Sequence, residues 1–300
     1  MVAPFDQPSR PNPNSGLVSG LNYRAAKRVI ARQFAAAGLP FADEDALDLL
    51  LGLTGLNQTD YIIGGAEPVQ TEQMNALRLG AERRLAGDPV DRILGWREFY
   101  GRRFLIDDVL SPRGDTEVLL LAALEVIRDV KAPRLLDLGT GSGALAISLL
   151  CEREDAMAIA TDCEANALRT TRVNAEALKV SDRLETLQSD WLSALPSNPF
   201  DVILSNPPYI TSNAMTALEH EVAEHDPVGA LHGGRDGLDP YRIIVPGARE
   251  YLRPRGWLGV EIGFDQGEAV QALFKSADYR DIRLLADPAG HDRVVCGWRS

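Results

Sequence analysis

Cysteine is scarce in this chain, and the common metal-binding patterns are missing from it. The three cysteines, Cys151, Cys163 and Cys296, show no C-x-x-C spacing. An odd and scattered set of this kind predicts neither a disulfide framework nor a zinc knuckle. No two of the four histidines have the i, i+4 spacing that places two ligands on one helical face. We therefore expect no metal site and a reducing compartment, the cytoplasm.

Long apolar runs and an excess of positive charge are also missing. No uncharged apolar stretch approaches the roughly 18 residues that a membrane span needs, and the first residues lack the apolar core of a signal peptide. The 31 Lys and Arg residues against 43 Asp and Glu residues give a net charge of -12. That sign is wrong for a protein that grips phosphate backbones. We expect a soluble protein that binds neither membrane nor nucleic acid.

The sequence pattern changes three times along the 300 residues, which is long enough for two domains. Residues 1–20, rich in Pro, Asn and Ser, predict a disordered tail. Residues 21–88 are rich in Ala and Leu at helical spacing and predict a bundle of four or five short helices. Aromatic and glycine punctuation in residues 89–116 predicts a hairpin linker. Residues 117–300 then form the larger domain.

Strand and helix patterns alternate in this larger domain. The strand patterns occupy residues 134–138, 157–161, 184–188, 200–205, 257–262, 282–285 and 293–297. Alternation of this kind predicts an α/β fold with a parallel, doubly wound sheet. In such a sheet the ligand lies at the carboxyl ends of the strands, so we expect the site there.

A glycine-rich turn follows the first of these strands and opens a helix. It consists of Gly139, Thr140, Gly141, Ser142 and Gly143. The glycines let backbone approach a ligand at positions where a Cβ would obstruct it. The turn therefore predicts a nucleoside-like cofactor. With Ala144 it also matches the looser G-x-G-x-x-A dinucleotide pattern, so the glycines leave NAD and S-adenosylmethionine both open.

Polar and aromatic residues follow the next two strands. Asp162 ends the second strand, where a carboxylate can accept both hydroxyl protons of a ribose, although it could also cap the following helix. Asp190 and Trp191 follow the third strand, where a ring and a polar neighbour could hold adenine by stacking and hydrogen bonding. All three residues suit either cofactor.

A second turn favours methyl transfer. Asn206, Pro207, Pro208 and Tyr209 close the apolar run at residues 200–205. The prolines fix φ at two successive residues and leave rigid carbonyl acceptors beside a primary amide. The Asn206 oxygen and the Pro207 carbonyl could hold a planar NH2 group with its lone pair facing a sulfonium methyl, while Tyr209 or Pro208 covers its flat face. A hydride-transfer enzyme has no evident use for this turn.

Together these features resemble the glutamine N5-methyltransferases that modify class 1 peptide chain release factors. The similarity covers nearly all of the chain after the tail. Besides the two turns, it is carried by residues 45–55, 92–101, 110–117, 230–238, 261–263 and 292–295. The chain departs from the family pattern at Ser111 and Gly114, and again in the stretch Glu224-His225-Asp226-Pro227. Neither departure lies in the second turn.

The resemblance implies a Rossmann-like, seven-stranded methyltransferase domain of the S-adenosylmethionine-dependent class, with a small all-helical domain before it. It implies a cytoplasmic enzyme, which we expect to be a monomer, acting on the glutamine of the Gly-Gly-Gln loop of release factors. Residues 139–143, Asp162, Trp191 and Asn206 would then contact the cofactor, and residues 206–209 would hold the glutamine. Phe99 and residues 113–117, beginning with Arg113, would shape the mouth of the pocket.

Three alternatives stay open at this stage. A related enzyme that methylates a glutamine of a large-subunit ribosomal protein shares the second turn, although Asp115-Thr116-Glu117 resembles the release-factor group. An amino-methyltransferase of nucleobases uses the same turn, but the acidic balance argues against it. A non-catalytic binding module would need a damaged cofactor turn or a lost Asn206, and neither is seen.

Overall fold

The computed structural model describes residues 16–197, 199–216 and 226–300. Within them the chain divides into two units, of which the first ends at Gly95 and the second begins at Trp96. The boundaries predicted at residues 88 and 116 fall on either side of this division. Residues 1–15 of the predicted tail, and Glu224 and His225 of the departing stretch, lie outside the described residues.

The first unit is built from five helices. They are α1 (Tyr23–Ala36), α2 (Ala42–Thr54), α3 (Gln58–Gly64), α4 (Thr71–Ala86) and α5 (Val90–Leu94). Local signals set their ends: the Asn22 side chain accepts a hydrogen bond from the Ala25 N–H at the start of α1. Gly55 and Gly87 end α2 and α4 in the left-handed conformation, which glycine adopts without strain.

One apolar core holds this first unit together. Ile30 and Phe34 of α1 are fully buried with Leu49 of α2 and Leu77 of α4. Leu17, within the stretch predicted to be a tail, is buried in the same core. Its carbonyl accepts hydrogen bonds from Arg78, the shorter at 2.6 Å. The residues directly before α1 are therefore part of the helical unit.

The second unit begins with a short hairpin of β1 (Trp96–Phe99) and β2 (Arg102–Leu105). Tyr100 and Gly101 form its two-residue turn, and both have a positive φ, of 47° and 70°. That geometry suits the twist of the two strands. Phe99 and Phe104 meet edge to face with their ring centres 6.2 Å apart. Both rings are buried, so the hairpin is anchored in the core of the second unit.

A seven-stranded sheet forms the body of the second unit. Its strands are β3 (Arg134–Leu138), β4 (Met157–Asp162), β5 (Leu184–Gln188), β6 (Phe200–Ser205), β7 (Leu252–Glu261), β8 (Tyr279–Ala286) and β9 (Asp292–Arg299). The strand order is β5-β4-β3-β6-β7-β9-β8. The order reverses beside β3, which has β4 on one side and β6 on the other, and that reversal is where open α/β sheets bind ligands.

The predicted doubly wound sheet of seven strands is confirmed, and one strand departs from the parallel arrangement. Strands β3 to β7 are parallel to one another, whereas β9 is antiparallel to both β7 and β8. The reason is the loop between Ala286 and Asp292. A parallel connection needs a crossover of about a dozen residues or more, and this loop is too short to provide one.

Helices cover both faces of the sheet. They are α6 (Glu117–Val126), α7 (Ala144–Glu152), α8 (Ala165–Ala177), α11 (Asp239–Tyr251) and α12 (Gly267–Ser276), with the short helices α9 (Ser212–Met215) and α10 (Val228–Leu231) between β6 and α11. One buried cluster joins α6 and α7 to the sheet, and the other joins α11 and α12 to it. No helix in the described ranges has both the length and the apolar character of a membrane span.

Candidate active site

The carboxyl ends of four parallel strands carry most of the predicted site residues. The glycine turn follows β3, Asp162 ends β4, Asp190 and Trp191 follow β5, and Asn206 follows β6. Since β3, β4, β5 and β6 are neighbours in one sheet, these residues share one edge of it. The Asp162 Oδ2 accepts a hydrogen bond of 3.0 Å from the Gly141 N–H, which joins the first two of these groups directly.

The glycine turn requires glycine for two different reasons. Gly139, Gly141 and Gly143 have φ of 70°, 56° and 81°, a region that residues with a Cβ rarely adopt. At Gly143 a Cβ would also lie 2.7 Å from the Ile147 side chain. At Gly141, by contrast, a Cβ would meet nothing within 4 Å. Gly143 thus serves packing, whereas Gly141 presents bare backbone to open space.

Asp137, which was not among the residues predicted from the sequence, braces this turn from the strand β3. Its Oδ2 accepts hydrogen bonds from the Thr140 hydroxyl at 2.7 Å and from the Ala146 N–H at 3.3 Å. Burial raises the pKa of Asp137 to about 7 against these two hydrogen bonds, which lower it. A carboxylate inside an otherwise apolar strand was the signal that could have identified it.

Asn174 of α8 joins the glycine turn to the hairpin. Its Nδ2 donates to the Ser142 carbonyl at 2.8 Å and to the Leu105 carbonyl at 3.0 Å. Its Oδ1 accepts from the Leu105 N–H at 2.8 Å. The side chain is buried and its amide is bonded at both atoms. Since Leu105 lies 69 residues earlier in the chain, no local pattern could have revealed this link.

Asp162 forms hydrogen bonds both to the glycine turn and to the backbone just before α8. Its Oδ1 accepts from the Glu164 N–H at 3.0 Å, just before α8 begins, so it caps the helix region as well as bonding the glycine turn. Burial raises the pKa of Asp162 above its usual range. An ionised carboxylate offers about four acceptor positions, so it can still accept a hydrogen bond from a ligand hydroxyl.

Trp191 lies against the glycine turn. Its ring atom Cζ3 is 3.5 Å from the position a Cβ would take on Gly139. The backbone of Trp191 is left-handed with φ of 49°, which is rare for a bulky residue and typical of functional turns. Its carbonyl accepts a hydrogen bond of 2.8 Å from the Ser189 hydroxyl. Its neighbour Asp190 is exposed at the same edge.

The Asn206 turn is held by residues far away in sequence. The Asn206 Nδ2 donates to the Thr116 hydroxyl at 3.2 Å. No other described residue is hydrogen-bonded to this side chain, so its Oδ1 is available. The Gln266 amide donates to the Tyr209 carbonyl at 3.0 Å and to the Gly237 carbonyl at 3.2 Å. Gln266 was not among the residues predicted from the sequence, whereas Thr116 falls within residues 113–117, which were expected at the mouth of the pocket.

Pro207 is buried, and Pro208 and Tyr209 are half-buried. Burial raises the pKa of Tyr209 to about 12, and the nearby Glu261 carboxylate is the second cause of this rise. The phenol is therefore neutral at any ordinary pH. Tyr209 can offer a ring face or a hydroxyl to a ligand, but it cannot act as a base.

Phe99 and Arg113, both predicted at the mouth of the pocket, lie in different environments. Phe99 is only 1% exposed and packs on Phe104 in the core, so its position does not support a substrate contact. Arg113 is exposed and forms an ion pair of 3.2 Å with Asp226. Asp226 belongs to the stretch that departs from the family pattern. No group of His, Cys, Asp and Glu residues suited to a metal ion occurs in the ranges the structure describes.

Comparisons with protein families agree with this architecture. Residues 25–95 match the model described as the PrmC N-terminal domain. Residues 115–226 match the model described as the methyltransferase small domain. The two matches fall in the helical unit and in the sheet-containing unit.

Similar proteins span nearly the whole chain. A protein of Agrobacterium fabrum named release factor glutamine methyltransferase is 42% identical over 277 residues, which cover 90% of this chain and 96% of that one. A protein of Bradyrhizobium diazoefficiens with the same name is 43% identical over 92% of this chain and 95% of its own length. A bifunctional methyltransferase of Rickettsia felis is 38% identical over 75% of this chain but 49% of its own length.

Among solved structures, the fold is similar to that of the hMettl16 catalytic domain in complex with MAT2A 3'UTR hairpin 6. The TM-score is 0.56 at 14% identity, over 73% of this chain and 81% of that one. The 16S rRNA N2 G1207 methyltransferase of T. thermophilus, in complex with AdoMet and guanosine, gives a TM-score of 0.50 at 20% identity, over 68% and 50% of the two chains. At these identities the likeness concerns the fold alone.

Proposed function

This chain belongs to the family of release factor glutamine methyltransferases, and from that premise we propose that it methylates the glutamine of the Gly-Gly-Gln loop in class 1 peptide chain release factors. The methyl group comes from S-adenosylmethionine and is transferred to the side-chain amide nitrogen, N5. Because the proposed substrates are release factors, we propose that the reaction takes place in the cytoplasm.

The residues at the sheet edge fit S-adenosylmethionine. Gly141 offers backbone with open space beside it, Asp162 keeps acceptor positions for the ribose hydroxyls, and Trp191 offers a ring for the adenine. When bound, the cofactor supplies an electrophilic methyl group on a sulfonium. We assign residues 139–143, Asp162, Asp190 and Trp191 to its binding, with Asn206 at the border with the substrate.

Asn206 carries the proposal for the substrate. Because its Nδ2 is engaged by Thr116, its Oδ1 is the atom that can accept a hydrogen bond from a bound ligand. An amide NH2 group donates two hydrogen bonds, and the Pro207 carbonyl is the second acceptor that we assign to it. Pro208 and Tyr209 flank the flat face of the amide. Two acceptors in fixed positions hold the nitrogen lone pair toward the methyl group.

No strong base is required of the protein before methyl transfer. The amide nitrogen is a poor nucleophile because its lone pair is delocalised, so orientation and exclusion of water supply the rate. The extra proton on nitrogen departs after transfer. The neutral phenol of Tyr209 agrees with this, because the one titratable side chain of the Asn206 turn is not a base at neutral pH.

The competing substrates are weaker candidates. The two structural neighbours, one bound to a 3'UTR hairpin and the other to guanosine, share only the fold with this chain, and the net charge of -12 opposes binding to a phosphate backbone. We therefore assign no nucleic-acid substrate to this chain. The residues assigned to the site come from one unit of one chain, and on that ground we propose that a monomer is active.

A direct transfer assay tests the proposed function. The protein is incubated with labelled S-adenosylmethionine and, in parallel, with a purified release factor, a large-subunit ribosomal protein or RNA. We expect label on the release factor. Label confined to the ribosomal protein or to RNA would reject the proposed substrate, and failure to bind the cofactor in calorimetry would reject the enzyme itself.

A further inference from the structure

Glu261, the last residue of β7, is a buried carboxylate that the mechanism above does not use. It is 2% exposed. Its Oε2 has no hydrogen-bond partner among the described residues, whereas the carboxylate accepts a hydrogen bond from the Thr116 hydroxyl. Burying an acidic side chain with one of its oxygens unpaired is costly, and such groups are retained where they serve a function.

Glu261, Thr116 and Asn206 form one chain of hydrogen bonds. Thr116 is 3% exposed and ends the short 3₁₀ turn Gly114–Thr116. A threonine hydroxyl has a single proton to donate. When that proton goes to Glu261, the hydroxyl oxygen can only accept from Asn206. It therefore selects the Nδ2 atom of the Asn206 amide, at 3.2 Å, and directs the Oδ1 atom away from itself.

The orientation of this amide decides whether the site works. A side-chain amide has nearly the same shape in its two flipped orientations, so packing alone selects weakly between them. With Nδ2 facing the substrate, Asn206 would present two donors to the two donors of a glutamine NH2 group. No hydrogen bond could form, and two polar groups would lose their partners.

We propose that Glu261, acting through the Thr116 hydroxyl, is a positioning residue that holds the Asn206 amide with its oxygen toward the substrate glutamine. This inference rests on the proposed function. It concerns how the acceptor is oriented and leaves the methyl-transfer step itself unchanged. Thr116 and Glu261 touch neither the cofactor nor the glutamine in this scheme.

The charged surroundings of Glu261 add a pH dependence. Burial raises the pKa of Glu261 to about 7, while the Thr116 hydrogen bond and the Arg293 and Arg113 guanidinium groups lower it and Asp115 raises it. Burial is the main cause that raises the pKa values of Tyr209 and Tyr241, and Glu261 contributes to both. These two side chains are therefore neutral phenols beside Glu261. Arg293 and Asp115 pair with each other at 3.0 Å.

When Glu261 is protonated, it no longer has to accept a hydrogen bond from the Thr116 hydroxyl. The neutral acid can donate to Thr116, whose own proton is then free to go to Asn206 and favours the flipped amide. At saturating cofactor, kcat should therefore fall as the pH drops through about 7. The ordinary pKa of a glutamic acid, about 4.3, would place this loss far lower.

Substitutions at Thr116 separate hydrogen bonding from packing. Thr116→Val keeps the shape and removes the hydroxyl, and we expect kcat to fall on the order of 10- to 100-fold with an unchanged KM for the cofactor. Thr116→Ser keeps the hydroxyl and should restore most of the rate. The matched control is Thr170→Val, which removes another buried hydroxyl, bonded to the Asp107 carbonyl at 3.1 Å. A Thr116→Val enzyme with the kcat of the Thr170→Val control would overturn the proposal.

Glu261→Gln tests the acid directly and serves if Thr116→Val does not fold. A glutamine has the same shape but no ionisation in this range, so the fall in kcat near pH 7 should disappear and the rate above it should be reduced. Persistence of the wild-type pH profile in Glu261→Gln would assign the titration to another group and contradict the proposal.

A readout without substrate keeps this inference separate from the proposed function. In protein labelled at asparagine, the Asn206 side-chain NH2 resonances should shift with pH around 7 in the wild type and stay constant in Glu261→Gln. Absence of methyl transfer by the wild type would refute the proposed function alone. An Asn206 amide that does not respond to pH, or responds equally in both proteins, would refute the positioning role alone.

Discussion

The two turns of the site are held in place by different means. The glycine turn is fixed in part from nearby: Asp137, three residues before Thr140, accepts from its hydroxyl, and the Gly143 N–H donates to the Thr140 carbonyl at 2.8 Å. Its bonds with Asp162 and Asn174 span 21 and 32 residues. The Asn206 turn is fixed from far away. Thr116 lies 90 residues before Asn206, and Gln266 lies 57 residues after Tyr209.

This difference matches two different tasks, which are the binding of the cofactor at the glycine turn and the orientation of the Asn206 amide at the second turn. The glycine turn needs only to leave room and bare backbone for a cofactor, and its own φ values provide both. The Asn206 turn must present one chosen atom of a nearly symmetric amide, and the two prolines cannot choose that atom. The choice comes from elements that the fold brings to the turn. The substitutions below should therefore affect cofactor affinity at the first turn and turnover at the second.

Asn206→Ala should give the largest effect. It removes the oriented acceptor, so we expect kcat to fall on the order of 1000-fold while the protein stays folded. Single-turnover kinetics with saturating cofactor measure this loss. Asn213→Ala, at an exposed asparagine in α9, is the control and should be unaffected. Near-normal turnover by Asn206→Ala would remove the central residue from the mechanism.

Gly143→Ala should damage the first turn instead. A Cβ there would lie 2.7 Å from Ile147 and 2.9 Å from Thr171, at a φ that disfavours it. We expect the cofactor affinity in calorimetry to weaken on the order of 100-fold, together with a loss of about 1–3 kcal/mol of stability from the strain. The control is Gly229→Ala, where a Cβ meets nothing within 4 Å. An unchanged cofactor affinity in Gly143→Ala would show that the turn does not shape that site.

Gln266→Leu should affect the second turn without touching the cofactor. It removes the donor to the Tyr209 and Gly237 carbonyls, so the turn loses a brace and kcat should fall about 10-fold or more. Cofactor affinity should stay within the error of calorimetry. Gln271→Leu, on the same helix, is the matched control. If Gln266→Leu instead weakened the cofactor and left turnover intact, the division between the two turns would be wrong.

Trp191→Leu should give the smallest of these effects. The loss of one stacking ring is expected to weaken cofactor binding about 10-fold, with little change in kcat at saturating cofactor. Trp298→Leu, at a half-buried ring on β9, removes a similar side chain away from the site. Equal cofactor affinity in the two variants would assign Trp191 to packing against Gly139 rather than to ligand binding.

The sequence could predict those parts of the molecule whose causes are local. A few consecutive residues are enough to identify the glycine turn, the strand before it and the Asn-Pro-Pro-Tyr turn. The family resemblance based on them is confirmed by the relatives that span the chain. The antiparallel β9 could also have been anticipated from its short loop to β8. The alternation of strands and helices does not extend to this strand, because no helix separates it from β8.

The support of the site could not be predicted in the same way. Thr116 and Glu261 lie on different elements and meet Asn206 only after the sheet and the 3₁₀ turn have formed. Asn174 joins the hairpin to the glycine turn across a similar separation in sequence. Phe99 shows the converse case, because an aromatic residue in a recognised motif is buried in the core.

The central claim is that the second turn holds the NH2 group of a release-factor glutamine. The most direct test compares two release factors. One is the natural protein, and in the other the glutamine of the Gly-Gly-Gln loop is replaced by glutamate, so that an oxygen stands in place of the NH2 group. After incubation with the enzyme and S-adenosylmethionine, tandem mass spectrometry locates the methyl group. We predict one methyl group on the side-chain nitrogen of that glutamine and none on the variant. Equal methylation of both release factors, or a methyl group at any other residue, would contradict the account.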